Sequence, residues 1–455
     1  MDWKYTTVLL CIYGIIKEFR PATPFLTPYL ISGYKNLTLN EVYGQIFPYW
    51  TYSYMVFLIP VFVLTDVLRY KPMIVVEGAC LSITWALLVW GEGVWQMQLM
   101  QVAFGLASAA EIAYYSYIYA VVDEEHYPKV TSYVRSAALL GKLLGFGSAQ
   151  VIVSANIGSY LLLNQISLVA VCIVFFIAIA LPPVPTSPAP RQVSSERMED
   201  LSFSGRSQKD KLTNGEAKKD KLAKGFRAYI LTALKSFCIF RENMTVLKWS
   251  LWWALASCGV FQVFNYIQSL WLEMQPDPDK VENGLVEFVS TLIDGSSGAI
   301  LAFFVQFAAI SWVRYETVAL VIPSVFIAII LAVISQTQQV LMAYIGYICI
   351  TSTYHLFITV ASTNIACQLT TETYGLVFGW NTFVAVVLQT ALTLIVVDSH
   401  GLNLDIRTQF VVYAGYFAVV TALFVVVCVY SKFRKSTTDE KTDSSEEDSS
   451  HSLRD

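Results

Sequence analysis

The chain has 455 residues, with 30 Lys and Arg against 34 Asp and Glu, for a formal net charge of −4. Only 14% of residues are charged, where soluble domains carry roughly 25%, while 55% are hydrophobic and the mean hydropathy is +0.54. That balance excludes a soluble enzyme, a disordered chain and a nucleic-acid binder, which would need a basic face. What is left is a polytopic membrane protein.

Met1-Asp2-Trp3-Lys4 runs straight into an apolar segment with no small-residue cleavage site after it, so the chain opens on a membrane helix rather than a signal peptide. A crossing needs about 20 mostly apolar residues. Twelve stretches qualify: 5–30, 47–65, 73–90, 97–122, 130–155 and 160–181, then 247–272, 284–309, 317–334, 340–365, 374–397 and 410–430. Pro21, Pro24 and Pro28 interrupt the first, which is expected to be kinked or partly unwound. The chain divides into a six-helix half (1–181), a linker (182–246), a second six-helix half (247–430) and a tail (431–455). The linker opens on Pro-Pro-Val-Pro and carries a near-repeat at Lys209-Asp210-Lys211-Leu212 and Lys219-Asp220-Lys221-Leu222. Neither linker nor tail can build a core, so both read as disordered and solvated. The eight cysteines form no CxxC pair, and most lie in apolar runs, which suits buried thiols rather than disulfides or metal ligands.

Lys and Arg set the sides. Arg69, Lys71, Lys129, Arg314, Lys432, Arg434, Lys435 and the basic linker fall on one side; the loops 91–96, 156–159 and 336–339 on the other are poor in both. Both termini and the linker are therefore expected in the cytoplasm. The sequon Asn36-Leu37-Thr38 then lies outside, available for glycosylation at Asn36, and Asn243-Met244-Thr245 lies inside and stays bare. Two six-helix halves on a cytoplasmic tether fit an all-α carrier of the major facilitator type, with the substrate near the midplane between halves.

Ionisable groups at membrane depth are costly and mark sites, unless they are paired groups holding helices together. Glu111 shares a helical stripe with Phe104, Ser108 and Tyr115, with Gln101 nearby. Lys142 lies mid-span, two turns after Arg135; Gln262, Asn265 and Ser269 share one face, and Glu287, Thr291 and Asp294 another. Asn381 and Gln389 stand in the eleventh stretch. Phe47 and Trp50, one turn apart, have the spacing of two rings flanking a flat ligand. Asp66 and Arg69, in the short turn before Lys71-Pro72, read as a conformational latch. His355 reads as a helix-packing residue, with a proton relay as the alternative. No metal cluster, Ser-His-Asp pattern or phosphate loop supports an enzyme.

The segments Arg20-Pro21, Pro24-Phe25, Pro28-Tyr29-Leu30, Phe47-Pro48-Tyr49-Trp50-Thr51-Tyr52-Ser53-Tyr54, Pro60-Val61-Phe62, Thr65-Asp66, Arg69-Tyr70-Lys71-Pro72 and Glu111-Ile112-Ala113-Tyr114 resemble solute carrier family 19, the reduced folate carrier and thiamine transporter family. So do Trp249-Ser250-Leu251-Trp252-Trp253, Asn265-Tyr266, Asn283-Gly284 with Glu287, Val377-Phe378-Gly379 and Asn381-Thr382-Phe383. The resemblance implies a multi-pass plasma-membrane vitamin carrier of the major facilitator fold. Its partners would be a small vitamin, the lipid bilayer and a coupling ion, either a proton or an organic anion, with no cofactor, metal or nucleic acid. Folate-carrying members have Arg at the Glu111 position and Lys at the Gln389 position. Thiamine-type members have Glu at 111 and resemble this chain at Phe47, Trp50, Asn265 and Glu287. They differ at Thr23 and Gln101, where they carry Glu, and at Phe104 and Lys142, where they carry Tyr. The expected site is Phe47, Trp50, Gln101, Phe104, Glu111, Lys142, Asn265 and Glu287. The expected function is secondary-active import of a thiamine-type organic cation by alternating access. The alternatives are a reduced-folate or organophosphate anion carrier, a folate-like member that does not transport folate, and a non-transporting receptor on a carrier fold. Lys142 is expected to repel cations or to pair with Glu111 or Glu287; in an anion carrier it would bind the anion together with Arg20.

Overall fold

The computed structural model describes residues 3–68, 70–122, 126–182, 240, 243–275, 281–308, 316–366, 368 and 371–451. The first crossing is broken where its prolines predict. Helix α1 (Trp3–Glu18) ends before Pro21, a single 3-10 turn covers Thr23–Phe25, and α2 (Leu26–Ile31) completes the passage. Proline lacks an N–H and clashes with the preceding turn. The backbone groups freed by the break are taken by neighbouring helices. The Ala22 N–H donates to Ser167 Oγ (3.1 Å), Gln268 Nε2 to the Thr23 carbonyl (3.1 Å), the Thr27 N–H to Gln268 Oε1 (3.3 Å) and Asn283 Nδ2 to the Pro24 carbonyl (3.0 Å). Unwound backbone at membrane depth survives only when protein or water satisfies it.

After a loop capped by the reciprocal Thr38–Glu41 box, a π turn over Val42–Ile46 leads into α3 (Pro48–Leu68). Then follow α4 (Lys71–Trp90), α5 (Gly93–Val121), α6 (Tyr127–Ser154) and α7 (Tyr160–Ala180). The second half comprises α8 (Met244–Met274), α9 (Asn283–Ala308), α10 (Glu316–Gln336), α11 (Val340–Ala366), α12 (Thr371–Val396) and α13 (Ile406–His451). Counting α1 and α2 as one passage gives the expected twelve among the described residues. Among the described residues, seven helices are long and apolar enough to cross a membrane unaided. Asn243 caps α8 by accepting from the Thr245 and Val246 N–H groups (3.1 and 3.2 Å), so that helix begins earlier than its apolar run. Residues 183–239, 241 and 242 of the expected linker lie outside the described residues. The described helix α13 runs on to His451 through the stretch read as the tail. The cysteines with described side chains, Cys11, Cys80, Cys172, Cys258 and Cys349, are free thiols.

Small residues set the helix spacing. A Cβ on Gly141 of α6 would run into the Ile15 carbonyl of α1. The apolar core differs between the two ends of the bundle. At the end away from the termini, one cluster joins both halves: Tyr29, Trp85, Leu88 and Met100 with Tyr266, Trp271, Tyr347 and Phe410. At the other end each half has its own cluster, one around Tyr13, Tyr114 and Val134, the other around Trp249, Trp252 and Val377. The halves are therefore sealed together at one end and part at the other.

Candidate functional site

Polar contacts reinforce the sealed end. Tyr52 donates to Asp398 Oδ2 (2.5 Å), the Ser399 N–H to the Gly44 carbonyl (3.3 Å), Gln150 Nε2 to the Val281 carbonyl (3.2 Å) and Asn265 Nδ2 to Thr51 Oγ1 (3.3 Å). Burial alone would raise the Asp398 carboxyl. The hydrogen bonds from Tyr52 and from the His400 N–H and ring outweigh burial and hold it below the usual carboxylate range.

Beneath this seal lies a cavity of about 160 Å³. Five sequence-predicted residues meet there: Phe47, Trp50, Gln101, Phe104 and Asn265. The broken first passage, α4 and α8 add Thr23, Thr27, Trp85, Phe264 and Gln268, which the sequence reading did not place in the site. The floor is aromatic. Trp50 stacks on Tyr54 (centroids 5.7 Å apart) and Phe104 (6.3 Å), and its Nε1 donates to Ser108 Oγ (3.1 Å). Below the floor a chamber of about 810 Å³ opens between the halves, lined by Glu111, Tyr115 and Arg135 from the first half and Trp253, Thr359 and Phe383 from the second.

The charges form a row along one wall. Lys17 of α1, 3% exposed, lies 2.6 Å from Glu77 Oε1 and 2.9 Å from Glu111 Oε1. Tyr13 also donates to Glu77 (2.9 Å), and the Lys17 ammonium sits over the Tyr114 ring at 4.9 Å. Next along, Arg20 pairs with Glu18 at 2.9 Å, stacks over Trp85 at 5.6 Å, and has Lys142 as a looser second partner of Glu18 at 3.8 Å. This corrects the expected partners of Lys142. It reaches Glu18 rather than Glu111 or Glu287, and Glu111 is held by Lys17. The sequence reading gave Lys17, Glu18 and Glu77 no role in the site. The tyrosine one turn before Lys17, and the proline break just after it, were the available signals.

Glu287 stands apart from both cavities. It accepts from Tyr347 (3.0 Å) and has no ion pair among the described residues. Of Asp66 only the helical backbone is described, and Arg69 lies outside the described residues. Tyr70, the next described residue, has φ +63°, a value costly for a bulky residue. Asn36 is exposed in the loop at the sealed end, also at positive φ (52°). Gln389, the position of the folate-type Lys, is fully buried away from either cavity, and its backbone carbonyl accepts from Gln262 Nε2 (3.0 Å).

Residues 1–412 match the reduced folate carrier family. The chain is 53% identical to folate transporter 1 of Caenorhabditis elegans over 96% of its own length and 94% of that protein's. It is 40% identical to human thiamine transporter 2 over 94% of its length and 90% of that protein's. Among solved structures, a D-xylose–proton symporter superposes with a TM-score of 0.61 at 11% identity, covering 91% of this chain and 97% of that one. A point mutant of the nucleoside transporter NupG superposes with 0.60 at 13% identity over 92% and 99%. At such identities the structural likeness speaks to the fold alone.

Proposed function

The chain belongs to the reduced folate carrier family of membrane transporters, and from that premise we propose that it carries a flat heteroaromatic vitamin of the folate type, anionic at one end, by alternating access. It is a transporter rather than an enzyme. The observation that carries the substrate class is Arg135, which is exposed in the lower chamber and has no ion pair among the described residues. A glutamate-bearing vitamin needs a fixed cation, best a guanidinium. Its ring fits the aromatic walls of the upper cavity. Phe104 and Glu111, on one stripe of α5, are 111 − 104 = 7 residues apart, roughly 10 Å of helix, so an elongated ligand reaches from one chamber to the other. The C. elegans relative named as a folate transporter supports the same class.

This departs from the thiamine-type cation read from sequence. That reading leaned on Glu111, whose carboxylate shares the Lys17 ammonium with Glu77. One observation still favours a cation: Glu287, a carboxylate with only the Tyr347 hydroxyl for a partner among the described residues, on the opposite half. The Lys and Arg pattern argues for cytoplasmic termini. The chamber then opens inward, and Asn36 lies outside, carrying a glycan at the plasma membrane. Uptake of labelled folic acid by cells expressing the chain tests the proposal. Arg135→Gln should weaken uptake about tenfold or more, as loss of a charge-assisted contact worth about 1.5–3 kcal/mol requires, with Arg135→Lys intermediate. Unchanged affinity in Arg135→Gln, at normal surface expression, would remove the anion site.

A further inference from the structure

The break in the first passage is held open by an amide from the other half. In an uninterrupted α-helix the Thr27 N–H would donate to the carbonyl four residues back, that of Thr23. Here the Gln268 side chain of α8 is inserted into that rung. Its Nε2 donates to the Thr23 carbonyl (3.1 Å) and its Oε1 accepts from the Thr27 N–H (3.3 Å). Only this orientation of the amide satisfies both ends. A side chain set into the backbone ladder kinks a helix, as a proline does. The Leu26 N–H turns to the Thr23 carbonyl, three residues back, and so tightens the turn over Thr23–Phe25.

The next carbonyl is a different case. Pro28 has no N–H, so the Pro24 carbonyl has no donor in a helical passage, and Asn283 Nδ2 of α9 supplies one (3.0 Å). Tyr344 fixes that amide by donating to its Oδ1 (3.1 Å). Asn283 fills a gap that a proline leaves, whereas Gln268 occupies a rung that the backbone can close by itself. The wedged segment is also part of the site. Ala22, Thr23, Leu26 and Thr27 line the upper cavity, and Gln268 lines it beside them. One wall of the cavity, built by the first half, therefore takes its shape from a residue of the second.

We propose that Gln268 is a positioning residue that couples the shape of the upper cavity to closure of the sealed end. While the halves meet at that end, its amide holds Thr23 and Thr27 apart, and the cavity has the wall described above. As the halves part there, α8 carries the amide away and the Thr27 N–H closes on the Thr23 carbonyl. Neither group is then left without a partner at membrane depth. The two arrangements differ by discrete hydrogen bonds rather than by continuous bending, as a switch between two states requires. A wall completed by closure holds the ligand best in the closed state, and the ligand in turn favours closure. This inference rests on the alternating-access reading above.

The test places a reporter, Leu88→Cys, in the upper cavity of the full-length protein and follows its labelling by a membrane-impermeant thiol reagent added outside intact cells. Gln268→Leu keeps an apolar stem and removes both bonds. It should raise the labelling rate roughly tenfold, as the loss of two ordinary hydrogen bonds from the closed state requires. Gln268→Glu keeps an acceptor for the Thr27 N–H but sets a second carboxylate oxygen against the Thr23 carbonyl, and should behave like Gln268→Leu. Folic acid should slow labelling in the reporter protein, and in Gln268→Leu the same protection should need roughly tenfold more of it. An unchanged labelling rate in Gln268→Leu at normal surface level would overturn the proposal. So would faster labelling with protection at an unchanged concentration, because Gln268 would then seal the end without shaping the site. Absence of both variants from the surface would also overturn it, since the bonds would then hold the fold in every state. Failure of folic acid to protect the reporter protein that retains Gln268 would fell the folate reading alone, because the labelling rates without ligand still decide whether Gln268 holds the end shut.

Discussion

Replacing Lys17 by Met isolates the charge that the first helix contributes to the bundle. Methionine keeps the length of the apolar stem and removes the ammonium. Its two partners then fare differently. Glu111 is 39% exposed to the lower chamber and turns to water, so its loss is small. Glu77, 1% exposed, loses a partner at 2.6 Å and retains only the Tyr13 hydroxyl at 2.9 Å. Breaking a buried pair from one side costs about 3–5 kcal/mol, because the remaining charge is stranded in low dielectric. Adding Glu77→Gln removes the stranded charge, so the double variant should recover at least about 2 kcal/mol of that loss. Denaturant titration in mixed micelles, followed by tryptophan fluorescence, reads the four corners of the cycle. A Lys17→Met protein within about 1 kcal/mol of the unaltered one, where a buried unpaired carboxylate demands several, would refute the account of this cluster. A double variant no more stable than Lys17→Met would do the same.

Tyr52→Phe removes a hydrogen bond to a carboxylate that holds the sealed end shut. Such a bond is worth about 1.5–3 kcal/mol, so a cysteine placed in the upper cavity should become roughly tenfold more reactive to an external thiol reagent; no change would show the seal to be independent of Asp398. The Asp398 carboxyl is held low, so its part in the seal is present above the ordinary Asp range and is lost only as pH falls through its depressed value. Gly141→Ala pushes a methyl into the Ile15 carbonyl and should cost about 1–3 kcal/mol in the same micelle titration, whereas Gly415→Ala, with open space around its Cβ, should cost far less. Asp405 accepts from the Thr408 hydroxyl (2.6 Å) and N–H (3.1 Å), and those bonds hold its carboxyl low. Asp405→Ala should destabilise α13 by about 1 kcal/mol at neutral pH. The difference from the unaltered protein should narrow as pH falls through the depressed Asp405 carboxyl, because the charge-dependent part of the cap's stabilisation is lost on protonation.

The twelve crossings were legible because hydrophobic runs of membrane length record themselves directly in the sequence, and Pro21 and Pro24 announce the break in the first. Phe47, Trp50, Gln101, Phe104 and Asn265 were named chiefly from the resemblance to solute carrier family 19, and the fold brings these five to one cavity. The pairings were not legible. Lys17 meets Glu77 and Glu111 across 60 and 94 positions of chain, set by the packing of α1 against neighbours through Gly141 and by the tilt of the broken passage. Helical periodicity says which face a charge occupies, not which helix that face meets. Lys142 was misassigned for that reason: it shares the correct wall but meets Glu18, the partner one residue beyond Lys17. Trp85 and Gln268 were missed because an aromatic or an amide in a membrane helix is ordinarily a packing residue; only their convergence on the proline break makes them lining.

Parallel uptake of labelled folic acid and labelled thiamine, each competed by the other in cells expressing the chain, tests the substrate class most directly. The account predicts saturable folic acid uptake, unaffected by thiamine and reduced about tenfold or more in Arg135→Gln. Saturable thiamine uptake that folic acid leaves unchanged, insensitive to Arg135→Gln and abolished by Glu287→Gln, would contradict it.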